Sequence, residues 1–147
     1  MLQANASRLL DLFTGAVAAS CYKSFYHPHG GGGYEDVGAV EAVNSMLLAS
    51  TDGVLELFPA WPAAEAASFR QLRAYGAFIV SAQRSESGVV SAVEMLSEAG
   101  ATAKIRSPWP AIVVKTAAGA NVATTTGSDS IASFETTAGT TYVLSCK

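Results

Sequence analysis

Glu35 and Asp36 follow two histidines, His27 and His29, and four glycines, Gly30 to Gly33. Carboxylates beside a segment without side-chain bulk sit where a ligand can approach the backbone and where a side-chain oxygen can take or give a proton. This is the stretch most like an active site. A plainer reading exists: the glycines form a flexible turn, Asp36 caps a following helix by accepting its free N–H groups, and the histidines are simply exposed. Hydrolysis by paired carboxyl groups needs an acid on each side of the bond, and only one cluster is evident. His27 and His29 share a direction on extended backbone, but even with Glu35 they lack a third and fourth partner in register, so no metal site is expected. The chain has no Gly-x-Ser-x-Gly elbow, nothing else marks Cys21 and His27 as a thiol enzyme, and the glycines are not followed by the Lys-Ser/Thr of a phosphate loop. No cofactor is expected.

Trp61, Trp109 and Tyr75 can stack on the apolar side of a pyranose ring. Core packing is the stronger expectation for the tryptophans. Prolines lie within three residues of each, fixing the local direction of the chain so that the indole can cover the end of a sandwich.

The composition sets wider limits. With 147 residues, half of them hydrophobic and 14% charged, the chain can bury a core but has room for about one domain. A net charge of −3 with nine Lys plus Arg supplies no basic surface for many phosphates, so nucleic acid is not an expected partner. The apolar run from Val54 to Ala67 is broken by Glu56, Pro59, Pro62 and Glu65 and falls short of the roughly 20 residues of a membrane span, so no membrane partner is expected either. Cys21 and Cys146 are too few for a disulfide framework, wrongly spaced for a zinc knuckle, and silent about compartment. Leu9 to Ala19 ends in small residues resembling a signal cleavage region. Asp11 interrupts it, however, and Arg8 is the only basic residue ahead of it, so a helix capped by Asn5 or Ser7 is preferred, with Leu9, Leu10, Phe13 and Val17 on one stripe and Gly15 weakening its interior. Localisation stays open.

These elements must position the candidates. Residues 27 to 38 read as loop and 37 to 50 as a short buried helix, with Val40, Val43 and Leu47 as its stripe beside Ala39 and Met46. Asp52-Gly53 marks a turn, and Val54 to Phe58 a brief strand stopped by Pro59 and Pro62. From about residue 52 the apolar period changes from helical to alternating. Phe69 to Ala74 fits either a short strand or a helical turn. Phe78 to Ala82 and Val89 to Leu96 form a hairpin about Ser87-Gly88, and strands follow at Thr102 to Arg106, Ile112 to Thr116, Ala120 to Thr126, Ile131 to Thr136 and Thr141 to Cys146. About seven short strands with regular turns predict a mainly β chain, an antiparallel β-sandwich behind two short helices. Within it Tyr142, Leu144 and Cys146 share one face, as do Ala132 and Phe134.

Several ordered motifs carry a resemblance. Asn44 to Ser50 leading into Asp52-Gly53-Val54-Leu55-Glu56-Leu57-Phe58-Pro59-Ala60-Trp61-Pro62 resembles the carboxy-terminal portion of glycoside hydrolase family 95 and its α-L-fucosidase-like relatives. Phe69 to Ala82, Ser97-Glu98-Ala99-Gly100, Ile105-Arg106-Ser107-Pro108-Trp109-Pro110 and Glu135 to Tyr142 continue the likeness, which covers residues 30 to 145. The resemblance implies that residues 1–52 are the end of a helical (α/α)6 catalytic domain and residues 53–147 the β-sandwich that follows it. It implies a fragment of an inverting α-L-fucosidase-like hydrolase whose general acid and asparagine pair lie upstream, with no counterpart here. The family's base is an aspartate in an Asp-Gly-Asn-Phe-Gly-Gly loop; here the loop reads Gly31-Gly32-Gly33-Tyr34-Glu35-Asp36, which departs from that pattern and makes Glu35 the nearest analogue. The implied partners are a carbohydrate or an upstream catalytic domain, reached by way of Glu35, His27, His29, Trp61 and Trp109. Isolated, the helical face should favour aggregation, and a chain starting near Ser50 should be more soluble. The alternatives are a stand-alone carbohydrate-binding or structural sandwich and, less supported, a self-contained hydrolase using Glu35 with an unidentified acid.

Overall fold

A computed structural model describes residues 6–20 and 34–147 of the chain. Helices α1 (Ala6–Ser20) and α2 (Tyr34–Leu47) precede β1 (Leu48–Ala49), a 3₁₀ turn at Thr51–Gly53 and β2 (Glu56–Leu57). Then come β3 (Ala67–Ala74), β4 (Phe78–Arg84), β5 (Val93–Ser97), β6 (Ala103–Arg106), β7 (Ile112–Thr116), β8 (Thr125–Thr126), β9 (Ile131–Phe134) and β10 (Thr140–Cys146). The fold is mainly β. One sheet runs β3-β4-β5-β10-β7, a second β6-β9-β8, and β1 pairs with β2, all antiparallel.

Alternation builds the core. Phe78, Val80 and Ala82 of β4, Val93 and Met95 of β5, Tyr142 and Leu144 of β10 and Val114 of β7 are buried from the five-stranded side. Ala103, Ile105, Ala132 and Phe134 are buried from the three-stranded side. Each fully buried Val, Leu or Phe contributes about 1.5–3 kcal/mol of apolar transfer free energy. Cys146, the last residue of β10 and paired in register with Ile112, is exposed and free rather than buried with Tyr142 and Leu144. Leu55 links the small pair to the rest: its N–H donates to the Lys104 carbonyl at 2.8 Å, and its carbonyl accepts from Arg106 N–H at 2.9 Å.

Two stretches depart from the periodic expectation for local reasons. Phe69 and Leu72 both serve the core although three residues apart, which a flat strand cannot do. A β-bulge absorbs the extra residue: Phe69 faces Ala82, Leu72 faces Val80, and Gln71 takes φ 56° with its N–H bonded to Ser81 Oγ at 3.1 Å. The helix-like spacing of 69 to 74 is therefore a bulged strand. The run from Ala120 to Thr126 is not one strand but a crossing between sheets. Asn121 bridges to Lys115 of β7 and Val122 N–H donates to the Val114 carbonyl at 2.9 Å, whereas Thr125 and Thr126 pair with β9.

The helices also shift. α1 includes Ser7 in its first turn, so Ser7 is not its cap, and Asn5 lies outside the described residues. α2 starts at Tyr34, three residues earlier than expected, and takes up the end of the expected glycine-rich loop. Its backbone places Glu35 and Asp36 in the first turn, so Asp36 does not hold the cap position assigned to it. α2 packs on β1 and β3. Met46 is accordingly buried, whereas Val40, expected on the buried stripe, is exposed.

Candidate functional site

β1 and the turn after it bring α2 against the start of the five-stranded sheet. The Leu47 carbonyl accepts from Phe58 N–H at 2.7 Å, and Leu48 faces Leu57 across the β1–β2 pair. The chain then reverses at Asp52 and Gly53, both left-handed, where the sequence marks a turn. Between α2 and β3 this leaves a cleft of about 570 Å³. Glu41, Asn44 and Ser45 line it from α2, Leu48, Ala49, Ser50 and Thr51 from its end, and Leu72, Arg73 and Tyr75 from the opposite wall. Glu41, Asn44 and Ser45 have the i, i+3, i+4 spacing of one helix face, a signal present in the sequence and not used above. Ser45 Oγ donates to Glu41 Oε1 at 3.3 Å, and Arg73 makes a two-pronged pair with Glu98 at 2.7 and 3.2 Å.

Tyr75 is 73% exposed on this cleft. Its backbone is fixed, because its N–H donates to Ser50 Oγ at 3.0 Å and the chain turns at once through Ala77, at φ 58°, and Gly76, at φ 85°. A Cβ placed on Gly53 would meet the Tyr75 ring at 3.8 Å, so the turn and the ring are in near contact.

The tryptophans behave differently. Trp109 is half-buried against the core and donates its indole N–H to the Val90 carbonyl at 3.0 Å, while its own backbone is held by Ser107 Oγ. Trp61 is also half-buried against the core, and its indole nitrogen is buried with no partner among the described residues. Both do the packing expected of residues bounded by prolines, and neither lines the α2–β3 cleft.

Two further clefts lie among the described residues. One, on the outer face of the five-stranded sheet, is lined by Ser68, Gln71, Gln83 and Glu94 among others. The other, about 310 Å³, lies beside Glu56, Arg84 and Arg106. There Arg106 Nε donates to Glu56 Oε1 at 2.8 Å, and that bond with the neighbouring charge holds the guanidinium pKa above its ordinary value. Arg84, only 7% exposed, has its pKa pushed down by burial. It donates from Nη2 to the carbonyls of Pro62 and Glu65 and stacks over Phe58 at 5.4 Å, while its Nε is buried without a partner among the described residues.

Of the residues expected to form a site, His27 and His29 lie outside the described residues, as does Cys21, and only the backbone of Glu35 and Asp36 is described. Each of the three clefts carries a single carboxylate: Glu41, Glu94 or Glu56. Among the described residues no group of three or more His, Cys, Asp and Glu is placed to hold a metal ion, and no helix is long and apolar enough to cross a membrane.

Other residues singled out in the sequence make joints. Ser97 Oγ, fully buried, bonds Thr136 Oγ1 at 2.7 Å and accepts from Gly100 N–H at 3.1 Å, and Tyr142 Oη accepts from Thr137 N–H at 2.8 Å. These bonds tie the turn before β6 to the turn before β10. No curated protein matches the chain. A family model does: residues 49–144 match the one described as glycoside hydrolase family 95, C-terminal domain.

Proposed function

The chain belongs to glycoside hydrolase family 95, as a C-terminal domain of that family, and from this premise we propose that it is the β-sandwich end of an α-L-fucosidase-like hydrolase and does not cleave a glycoside by itself. The observation that carries the reading is the single carboxylate in each cleft. Glycosidases of the paired-carboxylate kind set two acids across the bond, one to protonate the leaving oxygen and one to activate water. In this reading Glu35 is the nearest candidate for the water-activating base, and the acid that must face it belongs to an upstream catalytic domain.

Helices α1 and α2 are then the end of that (α/α)6 domain, residues 1–52, and the sandwich of residues 53–147 is its support. Exposed Leu9, Leu12 and Val40 support this, because apolar side chains on a helix surface are what a neighbouring helix would cover. The joints at Ser97, Thr136 and Tyr142 support it too, since residues that carry the family likeness there hold turns together and face no cleft.

The test is release of fucose and of galactose from aryl glycosides and from a fucosylated oligosaccharide by the purified chain, with Glu35→Gln as the control. No release is expected from either protein. Release by the unaltered chain that Glu35→Gln abolishes would show a working site and overturn the non-catalytic reading.

A further inference from the structure

Three features meet in the α2–β3 cleft. Its floor, Leu48, Ala49 and Leu72, is apolar. Its rim carries planar polar groups, the Asn44 amide and the Glu41 carboxylate, each able to engage two neighbouring hydroxyls at once, beside an Arg73 guanidinium already forked onto Glu98. Its wall ends in the Tyr75 ring, uncovered although its backbone is pinned from Ser50. A volume of about 570 Å³ falls within the range of about 300–1,000 Å³ typical of small-molecule sites.

Charge narrows the ligand. Arg73 is the only cation of the lining and is already paired with Glu98, so an anion would gain little there. Glu41 is the only carboxylate, too little for a cation. What remains is an uncharged ligand with one apolar face and several hydroxyls.

We infer that this cleft binds a neutral sugar residue, with Tyr75 packed on the apolar face of the ring and Asn44 and Glu41 taking its hydroxyls. The sugar class rests on the family reading above; the site rests on the geometry. The ring of Tyr75 supplies area at low entropic cost, because its backbone is fixed and only two side-chain torsions must be ordered. Occupancy of this cleft and hydrolysis through Glu35 are read by separate experiments.

The experiment is a titration of the full chain with L-fucose, with D-galactose and with a fucosylated oligosaccharide, followed by backbone amide shifts. Saturable shifts are expected at Asn44, Ser45, Ser50, Tyr75 and Gly76. Tyr75→Ala should weaken binding about tenfold, in line with the loss of an aromatic packing contact, and leave the remaining spectrum native because the side chain is exposed. Tyr75→Phe should keep most of the affinity, and Trp109→Phe should leave it unchanged. No saturable shift with any of the three sugars up to their solubility, or binding that survives Tyr75→Ala unaltered, would overturn the site. Neither result touches the non-catalytic reading above, which fails instead if the chain hydrolyses a fucoside through Glu35.

Discussion

Leu12 and Leu144 are the same side chain in two regions that treat it differently. Leu144 of β10 is 0% exposed between two sheets, and Leu12 of α1 is 62% exposed. Leu9, which does lie on the apolar stripe of α1, is 48% exposed although that stripe is as regular as the alternation of β10, so pattern alone does not bury a residue. A strand face in this molecule finds a second sheet inside the same stretch of chain. Among the described helix residues Leu9, Leu12 and Val40 are exposed and Met46 is buried, whereas the main core is built by the strands and turns from Leu48 onward.

Matched substitutions test that contrast. Leu144→Ala should remove about 2–5 kcal/mol of stability, read from urea unfolding, because a cavity opens in a packed core. Leu12→Ala should change it by less than about 0.5 kcal/mol, while lowering self-association at high concentration. Equal effects at the two sites would erase the distinction.

A second pair uses glycine. Alanine at Gly76 would have to hold φ 85° with its Cβ 2.8 Å from the ring of buried Phe78. Gly76→Ala should therefore cost about 1–3 kcal/mol. Gly15 stands in α1 with nothing within 4 Å of an added Cβ. Gly15→Ala should stabilise that helix by about 0.5–1 kcal/mol, visible as a gain in helical circular dichroism. A loss of helix there would mean that α1 packs more tightly than its exposed leucines indicate.

The same contrast explains what the sequence made legible. Phe78, Val80 and Ala82, or Tyr142 and Leu144, announce their strands because alternation is local and one face is buried. Residues 69 to 74 were ambiguous because a bulge converts period two into a spacing of three, and residues 120 to 126 looked continuous because a change of sheet leaves no local mark. The cleft was harder still. Glu41, Asn44 and Ser45 share a helix face in the sequence, but that this face looks at Tyr75 depends on the turn at Asp52-Gly53 and on the pairing of Leu48 with Leu57. Tyr75 was one of three aromatic candidates, and nothing local separates it from Trp61 and Trp109. What separates them is that both indoles are packed against the core and Tyr75 is not. β1, lying before the expected boundary at residue 52, pairs with β2 after it, so a chain cut at Ser50 would lose Leu48 from the core along with the helices.

The grip of Arg84 on the loop from Pro62 to Glu65 has a consequence for how the molecule responds to its medium. Its acceptors are backbone carbonyls, which have no proton to gain, and a guanidinium keeps its charge in any ordinary solution. The exposed pairs Arg73–Glu98 and Arg106–Glu56 weaken as salt screens them. Brine should thus slacken the surface pairs while this inner clasp stays shut.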